Sequence, residues 1–133
     1  MADTLVFHHV GVITDELDAA VEFYRGLGYA PGPTYADDVQ KLTIIFVEKA
    51  GSPLIELIRP LGDESPARDW IGRITAGAYH TAYTARDFDA AVGEMKKKRM
   101  KKVLGPVPAV AFGGKRVAFF WNTAVGLVEL VES

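Results

Sequence analysis

The chain has 133 residues, 49% of them hydrophobic, and a formal net charge of −2. This composition is typical of one compact globular unit and excludes a disordered tail. Because the chain has no cysteine, it excludes disulfides, thiolate metal sites and a cysteine nucleophile. Any bound metal must therefore have imidazole and oxygen ligands.

Targeting and charge patterns indicate a cytoplasmic protein that binds neither membranes nor nucleic acid. The N-terminus has no basic segment before a long apolar one, and no apolar run approaches the ~18 residues of a membrane span. Six of the 15 basic residues lie between Lys96 and Lys102. We interpret this run as the solvated last turn of a helix, where cations offset the dipole, rather than as a phosphate-binding patch.

The first half of the chain predicts a strand, a helix and a hairpin. Residues 5–13 are rich in Val, Ile and Phe and predict a strand, which ends at the N-cap pair Thr14-Asp15. An amphipathic helix follows and stops near Gly26, and Pro31-Gly32-Pro33 then predicts a turn or irregular stretch. Residues 41–48 and 54–59 predict the hairpin.

The second half predicts the same order after a polar segment. Within that segment, Ser65-Pro66 indicates the start of a short helix that continues through Trp70. A strand over residues 78–84 and a helix from Asp87 to about Lys98 follow. Three further strands are predicted at residues 101–104, 115–121 and 127–132.

The two halves repeat each other in sequence as well as in element order. The segment 54–58, Leu-Ile-Glu-Leu-Ile, recurs as Leu-Val-Glu-Leu-Val at 127–131, and Asp-Ala-Ala-Val recurs at 18–21 and 89–92. The alignment pairs His9 with His80, Glu56 with Glu129, and Phe46 with Phe119. The shared order of elements makes chance an inadequate explanation of these identities.

Both glutamates lie in strands that are apolar on both faces, and an uncompensated carboxylate there would cost several kcal/mol. The compensating cation is either a metal ion or an arginine or lysine side chain, and Arg59 and Arg116 are the candidates for an internal salt bridge. These arginines do not occur at matching places in the two repeats, whereas His9 and His80 do. Two imidazoles and two carboxylates neutralise a divalent ion and leave two positions for water or substrate, which suits Mn, Fe, Co, Ni or Zn.

These inferences define the predicted fold. A βαβββ module covers one face of its sheet with its helix, and the other face is closed by a partner module or remains a cleft. We predict the α+β class, with two tandem βαβββ modules forming a curved mixed sheet around a metal-containing cleft. The predicted single domain, residues 1–133, consists of module 1 (1–61), a linker with a short helix (62–76) and module 2 (77–133).

The chain resembles the vicinal oxygen chelate superfamily, which includes glyoxalase I, methylmalonyl-CoA epimerase, extradiol dioxygenases and bleomycin-resistance proteins. The resemblance covers nearly the whole chain, and one fold hosts several chemistries. The motifs that carry it are His9-Val10-Gly11-Val12, Glu56-Leu57-Ile58-Arg59-Pro60-Leu61, Ser65-Pro66, Tyr79-His80-Thr81, Gly114-Lys115-Arg116-Val117-Ala118-Phe119 and Gly126-Leu127-Val128-Glu129.

The resemblance is strongest to the methylmalonyl-CoA epimerase and glyoxalase I branches, and it implies that His9, Glu56, His80 and Glu129 bind a divalent metal. Both enzymes remove a proton alpha to a carbonyl, with Glu129 as ligand and possible base. The epimerases supply a second glutamate where this chain has Val39 or Gln40, and Asp38 is the candidate replacement.

The resemblance implies a metal-dependent isomerase, epimerase or lyase that acts on a small molecule, either a CoA thioester or a glutathione hemithioacetal. Two alternatives stay open: a glyoxalase I-type lactoylglutathione lyase, and a drug-binding protein of the same fold without catalysis. The family also leads us to expect a homodimer.

Overall fold

The computed structural model describes residues 4–133, which form eight strands and three α-helices of the predicted α+β class. The order strand, helix, three strands occurs twice, so the predicted βαβββ repeat is confirmed. A short helix, α2, separates the two copies. The elements are β1 (Leu5–Ile13), α1 (Leu17–Gly26), β2 (Ala30–Asp37), β3 (Leu42–Glu48), β4 (Leu54–Pro60), α2 (Arg68–Ile74), β5 (Gly77–Ala85), α3 (Phe88–Lys97), β6 (Lys101–Pro108), β7 (Arg116–Asn122) and β8 (Gly126–Glu132).

The chain divides into two compact units. The first unit is His9–Tyr79, and the second unit combines residues 4–8 with His80–Ser133. In the first unit the strands are neighbours in the order β2-β3-β4-β1. In the second unit the order is β1-β5-β8-β7-β6. Strands β1 and β5 each have residues in both units. The predicted boundaries at 1–61, 62–76 and 77–133 stay a prediction.

In the first unit, α1 covers one face of the sheet. Its apolar stripe, Leu17 and Val21, packs on Ile45, Val47 and Leu57 of the neighbouring strands. Successive strand residues point to opposite faces, so the face of β4 that carries Leu57 is the helix-covered one. Glu56 therefore lies on the face that α1 does not cover.

The second unit repeats this arrangement with α3. The side chain of Asp87 accepts a hydrogen bond from the Ala90 N–H and caps the helix, as the sequence predicts. The buried face of α3 packs on β7 and β8, where Phe120 and Leu130 are fully buried. Glu129 lies beside Leu130 on β8 and consequently faces away from α3.

Two local predictions in the first half are wrong. Pro31-Gly32-Pro33 is not a turn but part of β2, an edge strand whose pairing is irregular here because its register shifts between Pro31 and Thr34. An edge strand tolerates proline because it leaves one side of its backbone without a strand partner. Helix α1 also begins later than the predicted cap: Thr14 Oγ1 accepts a hydrogen bond from Glu16 N, and Glu16 is the N-cap residue.

The predicted short helix exists but begins at Arg68, three residues after Ser65. The Ser65 hydroxyl accepts a hydrogen bond from Ala67 N and donates one to the Gln40 carbonyl, so it orders the turn that precedes the helix. Arg68 binds both carboxylate oxygens of Asp15, at 2.8 and 2.9 Å. A single guanidinium nitrogen, Arg68 Nη1, donates to both oxygens and joins α2 to the loop before α1.

The backbone of β6 leaves no space for a side chain at Gly105. Its φ is +85°, and a Cβ atom there would collide with the Val117 carbonyl oxygen. We expect Gly105→Ala to lower the free energy of unfolding by about 2–4 kcal/mol, measured by urea denaturation. Gly114→Ala is the matched control, because Gly114 also has a positive φ but nothing within 4 Å. It should cost only about 1 kcal/mol, and equal costs for the two variants would contradict the steric argument.

The basic residues from Lys96 to Arg99 are exposed at the end of α3, which agrees with a solvated last turn. None of the helices among residues 4–133 has the length and apolar character that crossing a bilayer requires.

Candidate metal centre

His9 and Glu56 form a buried pair in the first unit. They lie on the parallel neighbours β1 and β4, where His9 is opposite Leu54 and Glu56 is opposite Gly11. Because Gly11 has no side chain, the side chains of Glu56 and His9 can occupy the space above it. His9 Nε2 and Glu56 Oε1 are 3.2 Å apart. The two residues are 0% and 3% exposed.

His80 and Glu129 form the same pair in the second unit. They lie on the parallel neighbours β5 and β8, with His80 opposite Leu127 and Glu129 opposite Ala82. A small residue thus again lies opposite the glutamate. The distance from His80 Nε2 to Glu129 Oε1 is also 3.2 Å. Both residues are buried, at 4% and 2% exposure.

A phenylalanine flanks each pair. Phe46 on β3 lies opposite Glu56, and its ring centroid is 5.6 Å from that of His9. Phe119 on β7 lies opposite Glu129, with its centroid 5.2 Å from that of His80. Both contacts are edge-on. The alignment of the two halves pairs Phe46 with Phe119 but does not show that they lie at the two sites. The strand register shows this, and it shows the same for Gly11 and Ala82.

Neither candidate arginine compensates the glutamates. Arg59 lies three residues after Glu56, so it points to the opposite face of β4. The Arg116 guanidinium binds Glu132 at 2.7 Å and Asp89 at 3.0 Å. Hydrogen bonds to these carboxylates, that to Glu132 first, raise the pKa of Arg116. The arginine alternative from the sequence is therefore wrong for both pairs.

The same ion pair gives the protein an acid-labile contact. Hydrogen bonds from the Arg116 side chain and then from its backbone N–H hold the pKa of Glu132 below its ordinary value of 4.5. A lowered folded-state pKa means that the carboxylate stabilises the fold above pH 4.5 and that this stabilisation is lost as the pH falls through the folded-state pKa.

We accordingly expect Glu132→Gln to lower the urea midpoint at neutral pH, and the gap to the unsubstituted protein to close as the pH falls below 4.5. Unfolding curves over a pH series measure this gap. Glu22→Gln, which alters an exposed pair within one helix, is the control. A gap that stays constant at acid pH would refute the assignment.

The donor atoms of each pair suit a divalent metal. Two ligands at right angles with ~2.1 Å bonds lie about 3.0 Å apart, close to the spacing in both pairs. With neutral imidazole, each pair has a net charge of −1 in a buried setting. Among residues 4–133, the group of buried side chains that could hold a metal ion consists of the four predicted from the sequence: His9, Glu56, His80 and Glu129.

Asp38, the candidate second acid or base, is exposed in the turn between β2 and β3. Its neighbour Asp37 is the buried carboxylate, at 1% exposure. Asp37 accepts hydrogen bonds from Val39 N, Gln40 N and Gln40 Nε2. Gln40 is consequently turned toward Asp37, and a catalytic role of Asp38 stays a prediction.

Comparison with known proteins identifies the class of protein that carries these pairs. The model of the glyoxalase/bleomycin resistance protein/dioxygenase superfamily matches residues 8–119, so the chain belongs to this superfamily. The resemblance inferred from the sequence motifs is therefore confirmed.

Several relatives that are similar to this chain in sequence or structure are epimerases. The chain is 30% identical to the mitochondrial methylmalonyl-CoA epimerase of Mus musculus, over 95% of this chain and 72% of that protein. It is also 30% identical to an ethylmalonyl-CoA/methylmalonyl-CoA epimerase of Cereibacter sphaeroides, over 84% of each. A solved methylmalonyl-CoA epimerase in complex with methylmalonyl-CoA and NH4+ superposes with a TM-score of 0.82 at 25% identity, covering 98% of this chain and 95% of that one. These relatives are enzymes, which confirms the prediction of an enzyme.

Proposed function

We propose that the two His–Glu pairs together hold one divalent metal ion. The observation that carries this proposal is the duplication of a buried His–Glu pair at the same strand register in both units. One pair supplies two ligands, fewer than the three or four that protein sites use. Two carboxylates and two neutral imidazoles also balance a charge of two. Co, Ni, Zn, Mn and Fe all accept this donor set.

The activity we propose is epimerisation or isomerisation of a CoA thioester through removal of the proton alpha to its carbonyl. The support is the chain's likeness to epimerases over nearly its full length and the binding of methylmalonyl-CoA by a solved relative. A divalent ion at this centre would act as a Lewis acid on the carbonyl oxygen of the substrate.

In this proposal the chain's own residues divide the remaining work. Glu129 is both a ligand and the general base, because its second carboxylate oxygen can accept a proton. Phe46 and Phe119 exclude water beside the two pairs, which strengthens electrostatic interactions there. Asp38 is the proposed group for proton exchange on the other face of the substrate carbon.

The test follows solvent deuterium into the alpha carbon of CoA thioesters and glutathione hemithioacetals by NMR, after the protein is loaded with each metal in turn. We expect exchange with a CoA thioester. Asp38→Asn should retain exchange at that carbon but lose epimerisation, whereas Asp63→Asn, another exposed carboxylate, should retain both.

Each other outcome overturns part of the proposal. Isomerisation of the hemithioacetal alone would identify a lactoylglutathione lyase instead. No exchange with any substrate at full metal occupancy would leave a non-catalytic binding protein of the same fold. Epimerisation by Asp38→Asn at the unsubstituted rate would remove Asp38 from the reaction.

A further inference from the structure

The second unit contains a cavity of about 360 Å³ beside the end of α3. Met95 and Met100 form its wall on the helix side, and Thr81, Tyr83 and Val128 form its floor on β5 and β8. Val125, in the turn between β7 and β8, lies at its rim and is 62% exposed, so the cavity opens to solvent. Its volume is within the range of about 300–1,000 Å³ that small-molecule sites occupy.

This cavity is separate from the candidate metal centre. Thr81 and Tyr83 alternate with His80 along β5, and Val128 precedes Glu129 on β8. Because adjacent strand residues point to opposite faces, the cavity lies on the helix-covered face and the His80–Glu129 pair on the other. Tyr83 and Val128 accordingly pack against the apolar core under α3. A ligand in this cavity would not contact the metal ligands.

Two side chains at the cavity, besides the Thr81 and Tyr83 hydroxyls, offer hydrogen-bond donors. Lys98, which directly follows α3, lines the cavity, and its side chain ends in an ammonium group. The Asn122 side-chain oxygen accepts hydrogen bonds from Ala124 N and Val125 N, which leaves its NH2 group to donate to a ligand. The apolar side chains supply a surface for a hydrocarbon chain, and the two methionines can adjust to its shape.

The surrounding sequence favours an anion. From Met95 to Val128 the chain has eight basic residues and no Asp or Glu, and one of the eight, Arg116, is paired with Asp89 and Glu132. Two acidic residues flank this stretch: Glu94 is paired with Lys97 at 3.4 Å, and Glu129 points to the opposite face of β8 from Val128. The full positive charges of the lysines at the end of α3 exceed the partial negative charge of the helix C-terminus. They make the mouth of the cavity attractive to a carboxylate.

We propose that this cavity binds a small amphipathic carboxylate, with an aliphatic chain of about six to eight carbons against the apolar wall and the carboxylate at Lys98 and Asn122. The apolar walls, the donor groups and the neighbouring basic residues together favour an amphipathic carboxylate over other ligands. The proposal does not depend on the metal centre, so its failure would leave the proposed function standing.

Octanoate is the probe, and the methyl resonances of 13C-labelled methionine are the readout. Two of the three methionines of the chain line the cavity, so octanoate should shift the Met95 and Met100 methyl signals saturably. Lys98→Gln should weaken binding about three- to tenfold, because an exposed ammonium gives a modest charge-assisted bond. Val125→Glu, which places a negative charge at the rim, should weaken binding by a similar factor.

The matched controls are Lys97→Gln, in the same basic run but outside the cavity, and octanol, which has the chain without the charge. Lys97→Gln should leave octanoate affinity within twofold, and octanol should bind more weakly than octanoate. No shift of the Met95 and Met100 signals at saturating octanoate would overturn the site. Equal binding of octanol and octanoate would overturn the choice of an anion. Equal losses in Lys97→Gln and Lys98→Gln would overturn the placement of the carboxylate at Lys98.

Discussion

Substitution of Glu129 by glutamine is expected to lower the rate of alpha-proton exchange by about 10³-fold. The amide keeps the shape of the side chain but cannot accept the proton, and it removes one negative charge from the proposed ligand set. Single-turnover exchange of deuterium into a CoA thioester, at metal concentrations that saturate the variant, separates loss of the base from loss of the metal. Under those conditions most of the defect should remain.

The exchange rate of Glu129→Gln is compared with the rates of Glu56→Gln and Glu132→Gln. Glu56 occupies the equivalent position in the first unit, so its substitution should weaken metal binding, and saturating metal should restore much of the rate. Glu132 lies three residues beyond Glu129 and pairs with Arg116, so Glu132→Gln should exchange at nearly the unsubstituted rate. A Glu129→Gln variant that retains exchange within about threefold would remove Glu129 as the base.

Removal of divalent metal is expected to lower the thermal midpoint of unfolding by about 10 °C. An ion present at about 1,000 times its dissociation constant contributes about 4 kcal/mol to a folded state that alone binds it. Without the ion, two buried carboxylates lose their compensating charge. The measurement compares calorimetric scans after dialysis against a chelator and after addition of each candidate metal.

The matched variant for this experiment is Glu56→Gln. Loss of one carboxylate ligand should reduce the metal-induced stabilisation by about 2.7 kcal/mol, which corresponds to a 100-fold loss of affinity. Gly114→Ala is the control with four intact ligand side chains, and its metal-induced shift should equal that of the unsubstituted protein. If chelation left the midpoint unchanged, the His–Glu pairs would instead be buried ion pairs that stabilise the fold without a metal.

The charge of the two His–Glu pairs can be balanced in two ways, by a metal ion or by a proton on the histidine. A histidine beside a buried glutamate can compensate it by accepting a proton, and the 3.2 Å contacts fit such an ion pair too. The two arrangements respond oppositely to acid: protonation of the histidines strengthens an ion pair but competes with a metal. Metal titrations at neutral and mildly acidic pH therefore distinguish them.

Strand and helix patterns in the sequence predicted most elements because hydrophobic periodicity is a local property. The 3.6-residue period at α1 and the β-branched runs at β1 and β4 are sufficient for their assignment. Pro31 to Pro33 could not be assigned in this way. Whether prolines form a turn or an edge strand depends on which side of the strand has a hydrogen-bonding neighbour, and that neighbour is β3.

The candidate ligands could be predicted because of the repeat. One glutamate in an apolar strand has several explanations, but two at matching positions, each with a matching histidine, favour a shared chemical cause. The compensating arginine could not be assessed from the sequence. Arg116 is charged and close in the chain to Glu129, yet its partners are Asp89 and Glu132, because the start of α3 and the end of β8 place those carboxylates beside it.

The sequence by itself determined the repeated βαβββ order, the superfamily, and the identity of the four ligand candidates, since periodicity and duplication are written along the chain. Only the tertiary structure decided how each pair is formed. Strand register places Gly11 and Ala82 opposite the glutamates and Phe46 and Phe119 edge-on to the histidines. Register depends on contacts between residues far apart in the chain, and a single sequence does not record those contacts.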